Sequence, residues 1–330
     1  MRKIVLLLLP LFLMVGCGKN VKPNDVLSKF ENVVKNTSSY TLKADMEIVS
    51  NEEKYNYNVS VDYKEGSLYK VSLLNTNNNH EQIILKNKEG VYIITPSLNK
   101  SFKFQSDWPN NSSQAYILET LLKDLKNDKS REFKSNDNTY EYTTVVDYPN
   151  NNDLKSQKIT FNKDYTLSKV IVLNKEGKAS ITLKVISLDL KAKFNKAYFD
   201  LKSNVKDVSQ EQSTSVIDDI IYPMYLPSGT TFKGEEKVST TNSERVILSF
   251  TGEKPFIFVE ETGIKPKEHE VTNVFGELVS FGPVIGSLTE TSINWSNNGM
   301  EYYVIGSNLS SNDLLNIASS TSTVALTSKK

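Results

Sequence analysis

The sequence has 330 residues, and its 39 basic and 39 acidic side chains give a formal charge of zero at pH 7. This balance, with no basic stripe along the sequence, argues against nucleic acid as a partner. The length predicts about two domains. A single cysteine excludes a disulfide framework.

The N-terminus has the pattern of a secretory signal. The basic pair Arg2-Lys3 precedes an apolar run, Ile4–Val15, that ends just before Cys17. The run is too short for a membrane span, which needs roughly 20 residues, and it suits a signal peptide. Because the cysteine stands at the cut, the stretch resembles a bacterial lipobox, with Met14 where leucine is usual. We predict a signal peptide over residues 1–16.

The resemblance to a lipobox implies that Cys17 is acylated and becomes the mature N-terminus. The alternative is an ordinary secreted protein with an incidental cysteine. Lipid on Cys17 would leave no thiol for catalysis, metal binding or a disulfide. We therefore expect no cofactor beyond the covalent diacylglycerol and acyl chains, such as palmitate. The expected location is the cell membrane, facing outside the cytoplasm, with residues 17–23 as the tether.

The first part of the mature chain predicts one helix followed by many strands. Asn24 is a suitable cap for a helix over about 24–35, which has one apolar stripe. Strict alternation then predicts antiparallel strands with one buried and one wet face. The inward rows are candidates to line a concave face or pocket, and they comprise Tyr40, Leu42, Met46, Ile48, Tyr55, Tyr57, Val59 and Tyr63.

A second helix interrupts the strands after Trp108-Pro109. Ser112 or Ser113 is the predicted cap, and strands resume and continue to about Leu188. A sheet with so many strands tends to curl, and the two amphipathic helices can bury only against its concave side. The predicted fold is mainly β (α+β): an antiparallel half-barrel closed by helices, over residues 24–200. Whether its interior is filled or hollow stays open at this point.

A second, smaller domain is predicted after a polar linker at 201–216. It covers residues 217–320 and is mostly β, with a closing helix at about Ser311 to Ala318 capped by Ser310. Residues 321–330 are predicted to form a frayed tail.

The order of these elements resembles the outer-membrane lipoprotein-sorting (LolA-like) superfamily over residues 25–200. The residues that carry the resemblance are Gly90–Pro96, Lys100–Phe102 and a leucine-rich helix from Gln114. The second domain is similar to the C-terminal module of a Firmicute sporulation and germination lipoprotein group, which resembles the germination lipoprotein GerS. That similarity rests on Tyr222–Gly229, on Trp295 with Asn298–Tyr302, and on Asn308–Ala318.

The resemblance implies a non-catalytic protein that binds a cell-wall amidase and supports modification of the spore cortex. The chain departs from GerS by its extra C-terminal domain, so no binding residue is carried over. A LolA-like domain joined to a smaller one also resembles envelope-stress regulators that bind an anti-sigma factor, which gives a second possible role.

Three classes of function remain to be compared. Catalysis is not expected, because His80 and His269 lie in different domains without metal-ligand spacing, and Glu260 and Glu261 point to opposite faces of a strand. A carrier of lipid or acyl chains would use the half-barrel as its pocket. An adaptor would bind a protein through its surface, with Trp108 as a candidate anchor or, alternatively, as a buried plug. We favour the adaptor.

Overall fold

A computed structural model describes residues 21–50, 53–136, 138–149, 151–205, 217, 219–239, 243–263, 266, 268–281 and 284–327, with side chains as far as residue 321. The predicted signal peptide, Cys17 and most of the predicted linker lie outside these residues.

The first domain has eleven strands, two long helices and one short helix. Its helices are α1 (Pro23–Asn36), α2 (Leu118–Asn127) and the short α3 (Leu201–Asn204), with a 3-10 turn at Pro96–Leu98. Its strands are β1 (Ser39–Ser50), β2 (Glu53–Lys64), β3 (Leu68–Asn75), β4 (Glu81–Asn87), β5 (Gly90–Thr95), β6 (Lys100–Phe104), β7 (Glu132–Ser135), β8 (Thr139–Val145), β9 (Leu154–Asn162), β10 (Leu167–Asn174) and β11 (Ala179–Asp189).

The second domain has eight strands and a closing helix. Its strands are β12 (Thr230–Ser239), β13 (Glu244–Gly252), β14 (Phe256–Thr262), β15 (Glu270–Val274), β16 (Glu277–Phe281), β17 (Val284–Leu288), β18 (Ser292–Asn297) and β19 (Met300–Ile305), and the helix is α4 (Ser311–Thr327).

The strands of the first domain form one open, antiparallel sheet. Its order is β6-β5-β4-β3-β2-β1-β11-β10-β9-β8-β7, and β15 of the second domain pairs in parallel with β6 to make a twelve-stranded sheet. The other seven strands of the second domain form their own sheet, in the order β12-β13-β14-β19-β18-β17-β16. The predicted mainly β fold is therefore confirmed, and the sheet does not close into a barrel.

Helices α1 and α2 close the concave side of the half-barrel, as predicted. Val26 and Phe30 of α1, and Leu121 and Leu125 of α2, are fully or almost fully buried in one core cluster with the inward rows of the strands. Burying these side chains removes apolar surface from water, and it explains why the helices lie on this side. Most of the concave face is therefore a packed core.

The helix starts differ from those predicted. Helix α1 begins at Pro23, with Lys22 before it and no side-chain cap, so Asn24 lies inside the helix. Helix α2 begins at Leu118 without a side-chain cap. The Ser113 hydroxyl instead accepts a hydrogen bond from the Asp147 amide at 2.8 Å.

A segment of three aromatic residues crosses the convex side of the sheet. The rings of Phe194, Tyr198 and Phe199 contact one another in tilted or edge-on orientations. With Leu201 and Val205 they pack over β4 and β5. Contacts of the first domain thus extend past residue 200 into the segment predicted as linker.

The closing helix of the second domain has the predicted cap. The Ser310 hydroxyl accepts from the Asp313 amide, and the Ser310 amide donates to the Asp313 carboxylate. The helix runs to Thr327, beyond the predicted end at Ala318. The hydroxyls of Ser320 and Thr321 bond back to carbonyls of the preceding turn, so part of the segment predicted as a tail is helical.

Candidate functional site

The predicted inward rows lie on the concave side of the half-barrel. Six of the eight side chains are buried, while Ile48 and Tyr63 are partly buried against the same core. Most of them pack against the helices, and only Met46, Ile48 and Tyr57 reach open space. The pattern therefore located the concave face, whereas their role as a ligand site stays a prediction.

A cavity of about 390 Å³ opens at one end of the half-barrel. It lies between the end of β1, the start of β11 and the segment that leads into α2. The apolar lining from the first domain comprises Met46, Ile48, Val49, Leu73, Ala115, Leu154, Ala179 and Ile181, together with Tyr57, Tyr116 and Tyr148. A mainly apolar concavity of this size suits the apolar part of a small ligand.

The second domain supplies one wall of this cavity. Ser280, Val284 and Ile285 line it from β16 and β17. Ile285 belongs to the core of the first domain, whereas Val284 belongs to the core of the second. The cavity is therefore a property of the docked pair of domains, which the sequence alone did not indicate.

Polar side chains also line the cavity: Ser50, Gln114, Asn151, Asp153, Asn174, Lys178, Ser180 and Ser280. Burial raises the pKa of Tyr116 and of Tyr148, so both phenols stay neutral across the physiological range. At the rim, Lys175 pairs with Asp153 at 3.1 Å, an exposed contact of small energetic weight. This arrangement can hold an apolar body and orient it with a few hydrogen bonds, and it presents no pairing of nucleophile and base.

A buried carboxyl lies nearby on α2. Asp124 accepts a hydrogen bond from the Gln157 amide at 2.7 Å, and burial raises its pKa to about 6. Gln157 is itself fully buried. The pair joins α2 to β9 and fixes the helix against the sheet.

Trp108 is a buried plug rather than an exposed anchor. Its side chain is 1% exposed and packs edge-on against the Tyr69 ring, with centroids 5.9 Å apart. Lys86 donates a hydrogen bond to its backbone carbonyl. Of the two alternatives that the sequence left open for Trp108, its burial fits the plug, because the loop folds inward to fill the core.

The most exposed large apolar side chain described is Phe275, at 85%. It directly follows β15, which joins the two domains, and Val271 on that strand is also exposed. We call Val271 and Phe275 the junction patch. The one usable signal in the sequence is an aromatic residue directly before Gly276.

Both histidines are partly buried. Burial lowers the pKa of each imidazole. The His269 ring lies between two residues of the first domain: its Nε2 is 2.5 Å from the Ser101 hydroxyl, and its Nδ1 is 3.4 Å from Asn99 Oδ1. The sequence could not show this, because 168 residues separate Ser101 from His269.

The Ser101–His269–Asn99 contact has the hydrogen-bond order of a hydrolase triad. The Ser101 side chain is fully buried, however, within β6 between β5 and β15. A substrate carbonyl cannot reach its hydroxyl in this arrangement, and undocking β15 would carry the histidine away. The geometry supports a structural contact between domains.

Other polar contacts join the domains near this point. Lys100 pairs with Glu301 at 2.9 Å, and both side chains are mostly buried. The Asn99 side chain donates to the Pro266 carbonyl at 3.0 Å, and Asn78 donates to Asn298 at 2.6 Å. Removing one member of a buried ion pair leaves an uncompensated charge, so these contacts favour one specific docking arrangement.

The described residues contain neither a metal-binding cluster nor a membrane-spanning helix. No group of three or more histidine, cysteine, aspartate or glutamate side chains in that part of the chain is placed to hold a metal ion. No helix within the same residues is long and apolar enough to span a membrane.

Comparison with known proteins gives a consistent result. The family model "Sporulation protein YdcC-like" matches residues 1–199. The chain is 35% identical over 318 residues to "Sporulation protein YdcC" of Bacillus subtilis (strain 168), and the alignment covers 95% of this chain and 94% of that protein.

The solved structures that match this chain do so with low TM-scores and low sequence identity. The Pseudomonas aeruginosa MucA/MucB complex matches with a TM-score of 0.32 and 12% identity, covering 89% of this chain and 97% of that one. The CwlD amidase from Clostridioides difficile in complex with the GerS lipoprotein matches with a TM-score of 0.23 and 17% identity, covering 54% and 98%. The LolA superfamily protein NE2245 from Nitrosomonas europaea gives 0.29 and 10%, covering 54% and 97%. TM-scores this low carry no argument about function.

Proposed function

This chain belongs to the sporulation protein YdcC-like family, and from that premise we propose that it is a non-catalytic, membrane-anchored lipoprotein that acts as an adaptor in sporulation or germination. Its partner would be a cell-wall enzyme of the amidase class, as the resemblance of the sequence to GerS implies. The observation that carries the proposal is the 35% identity to a sporulation protein, which extends over both domains.

The geometry supports a protein-binding surface at the domain junction. The junction patch places Val271 on the strand that connects the two domains and Phe275 directly after it, where a partner could contact both domains. Exposed aromatic side chains are frequent anchors of protein interfaces, because a ring buries a large area at low entropic cost. The patch takes the role that the sequence assigned to Trp108.

Deletion in the native host tests the adaptor. We expect spores that fail to modify their cortex, as if the cell-wall enzyme were absent, although this protein is itself catalytically silent. In the deletion strain complemented with Phe275→Ala, the variant protein should co-purify about tenfold less of the cell-wall enzyme than the wild-type protein does, as expected for an interface anchor. Ile186→Ala is the matched control, because Ile186 is 64% exposed on β11, away from the junction.

Normal cortex modification in the deletion strain would overturn the adaptor. Equal capture of the enzyme by Phe275→Ala and Ile186→Ala would instead exclude the junction patch as its site. Circular dichroism of each variant shows whether the fold is intact.

A second candidate function is favoured by the cavity at the end of the half-barrel. Its volume of about 390 Å³ and its apolar lining suit part of a lipid or acyl chain. Under this alternative the protein binds or carries such a ligand. Native mass spectrometry of the protein extracted gently from its own host would reveal a bound mass in the lipid range.

A further inference from the structure

Three side chains form a hydrogen-bonded relay between the two domains. Asn99 and Ser101 belong to the β6 region of the first domain, and His269 directly precedes β15 of the second. The Asn99 side-chain nitrogen donates to the Pro266 carbonyl, which turns its oxygen towards the imidazole. We call these three residues the junction relay.

The relay requires a neutral imidazole with one defined tautomer. The Asn99 Oδ1 atom can only accept, so the His269 Nδ1 atom carries the proton. The Nε2 atom is then unprotonated and accepts from the Ser101 hydroxyl. A second proton would make both ring nitrogens donors, and the Ser101 hydroxyl, in its fully buried position, would need another acceptor.

The docking of β15 on β6 has little support besides the junction relay. Its pairing with β6 covers five residues, and four of its side chains, Glu270 to Asn273, are exposed. Only Val274 packs against the core of the first domain. An element with so few buried apolar contacts opens locally at low free-energy cost.

We propose that the junction relay is a proton-sensitive latch, which holds β15 on the edge of β6 at neutral pH and releases it when His269 is protonated. Release would free the backbone groups of β6 to pair with another extended strand. The inference does not depend on the proposed adaptor function.

The electrostatic surroundings are consistent with this latch. Burial lowers the pKa of His269, so protonation is easier in the released state than in the docked one. The charged residues of the packed elements are Lys100 of β6, which is paired with Glu301 of β19, and Lys103 of β6, which lies over the Tyr92 ring. Glu268 and Glu270 flank the histidine along the chain.

Hydrogen exchange of the full-length lipoprotein in detergent tests the proposal. Exchange rates at pH 7.5 to 5, corrected for the intrinsic pH dependence, would be read by mass spectrometry. Below about pH 6.5, the ordinary pKa of histidine, each pH unit should lower the protection of β15 amides by up to tenfold, because one proton is taken up on release. The edge of β6 should lose protection in parallel.

Two variants make the test specific. His269→Gln stays neutral and can still accept from Ser101, so its β15 protection should not change with pH. His80→Gln is the matched control, because this second histidine contacts Ser97 of its own domain, and it should keep the wild-type response.

Three results would overturn the proposal. These are constant protection of β15 in the wild type, an unchanged pH response in His269→Gln, and a loss of protection that extends equally to β1 and β2. The last result would indicate global unfolding rather than release of one strand.

Discussion

At the scale of single residues, the adjacent pair Glu260 and Glu261 shows how burial changes the pKa of a carboxyl group. Glu260 and Glu261 are adjacent on β14 and point to opposite faces, as their spacing predicts. Glu261 pairs with Arg245 on one face at 2.8 Å. Glu260 faces the core, where it accepts the Ile221 amide at 3.1 Å, and burial raises its pKa to about 7.

The raised pKa of Glu260 predicts a pH-dependent effect of Glu260→Gln. The ordinary pKa is 4.5, so the folded state holds its proton up to about pH 7, whereas the unfolded state loses it earlier. The contribution to stability is therefore lost as pH rises from 4.5 to 7. The free energy of unfolding of the glutamine variant, relative to that of the wild type, should therefore rise by on the order of 2 kcal/mol from pH 5 to pH 8.

Thermal unfolding at the two pH values measures this gain. Glu236→Gln on β12 is the control, because its side chain is exposed. An equal difference between Glu260→Gln and wild type at both pH values would show that Glu260 ionises normally in the folded protein.

At the scale of elements, the two edge strands of the open sheet are protected from further pairing by different means. Strand β7 is short and carries Glu132 and Lys134, which discourage further pairing. Strand β6 is instead covered by β15 from the other domain. The cavity lies away from these edges, where β1, β11 and the segment before α2 diverge. The curvature of the sheet leaves a gap there that the helices do not fill.

The cavity predicts an effect of Ala179→Trp. Ala179 is exposed at the start of β11 and lines the cavity, so a large ring there should narrow the opening and leave the core intact. We expect any co-purifying lipid mass to be lost from this variant in native mass spectrometry. Ile186→Trp, on the outer side of the same strand, should retain it. Equal occupancy in both variants would contradict a ligand site in this cavity.

The whole molecule is a pair of domains joined by a shared strand, a buried ion pair and a shared core. Leu278 and Ile285 of the second domain lie in the core of the first, so the second domain is part of the packed unit. In the proposed mature protein, residues 17–22 would reach at most about 20 Å, and a lipid on Cys17 would then hold this unit near the membrane.

The lipid anchor predicts the behaviour of Cys17→Ala. Cells grown with labelled palmitate should label the wild-type protein and not the variant, because this chain has no other cysteine. Met14→Leu, which introduces the usual lipobox residue, should remain labelled. Labelling of Cys17→Ala would show that any lipid is attached elsewhere.

The sequence by itself determined the strands, the inward rows and the two helices of the concave face. These features depend on local periodicity: alternate residues of a strand face one side, and an apolar helical stripe must be buried. The cap at Ser310 was also predictable, because its partner Asp313 is three residues away.

Only the tertiary structure decided the junction. The docking of β15 on β6, the wall that Ile285 adds to the cavity, and the contacts of His269 with Ser101 and Asn99 all join distant segments. No local pattern encodes such pairings, because they depend on how two finished domains fit together. The burial of Trp108 has the same origin, since whether a loop side chain points inward depends on the space that the sheet and helices leave.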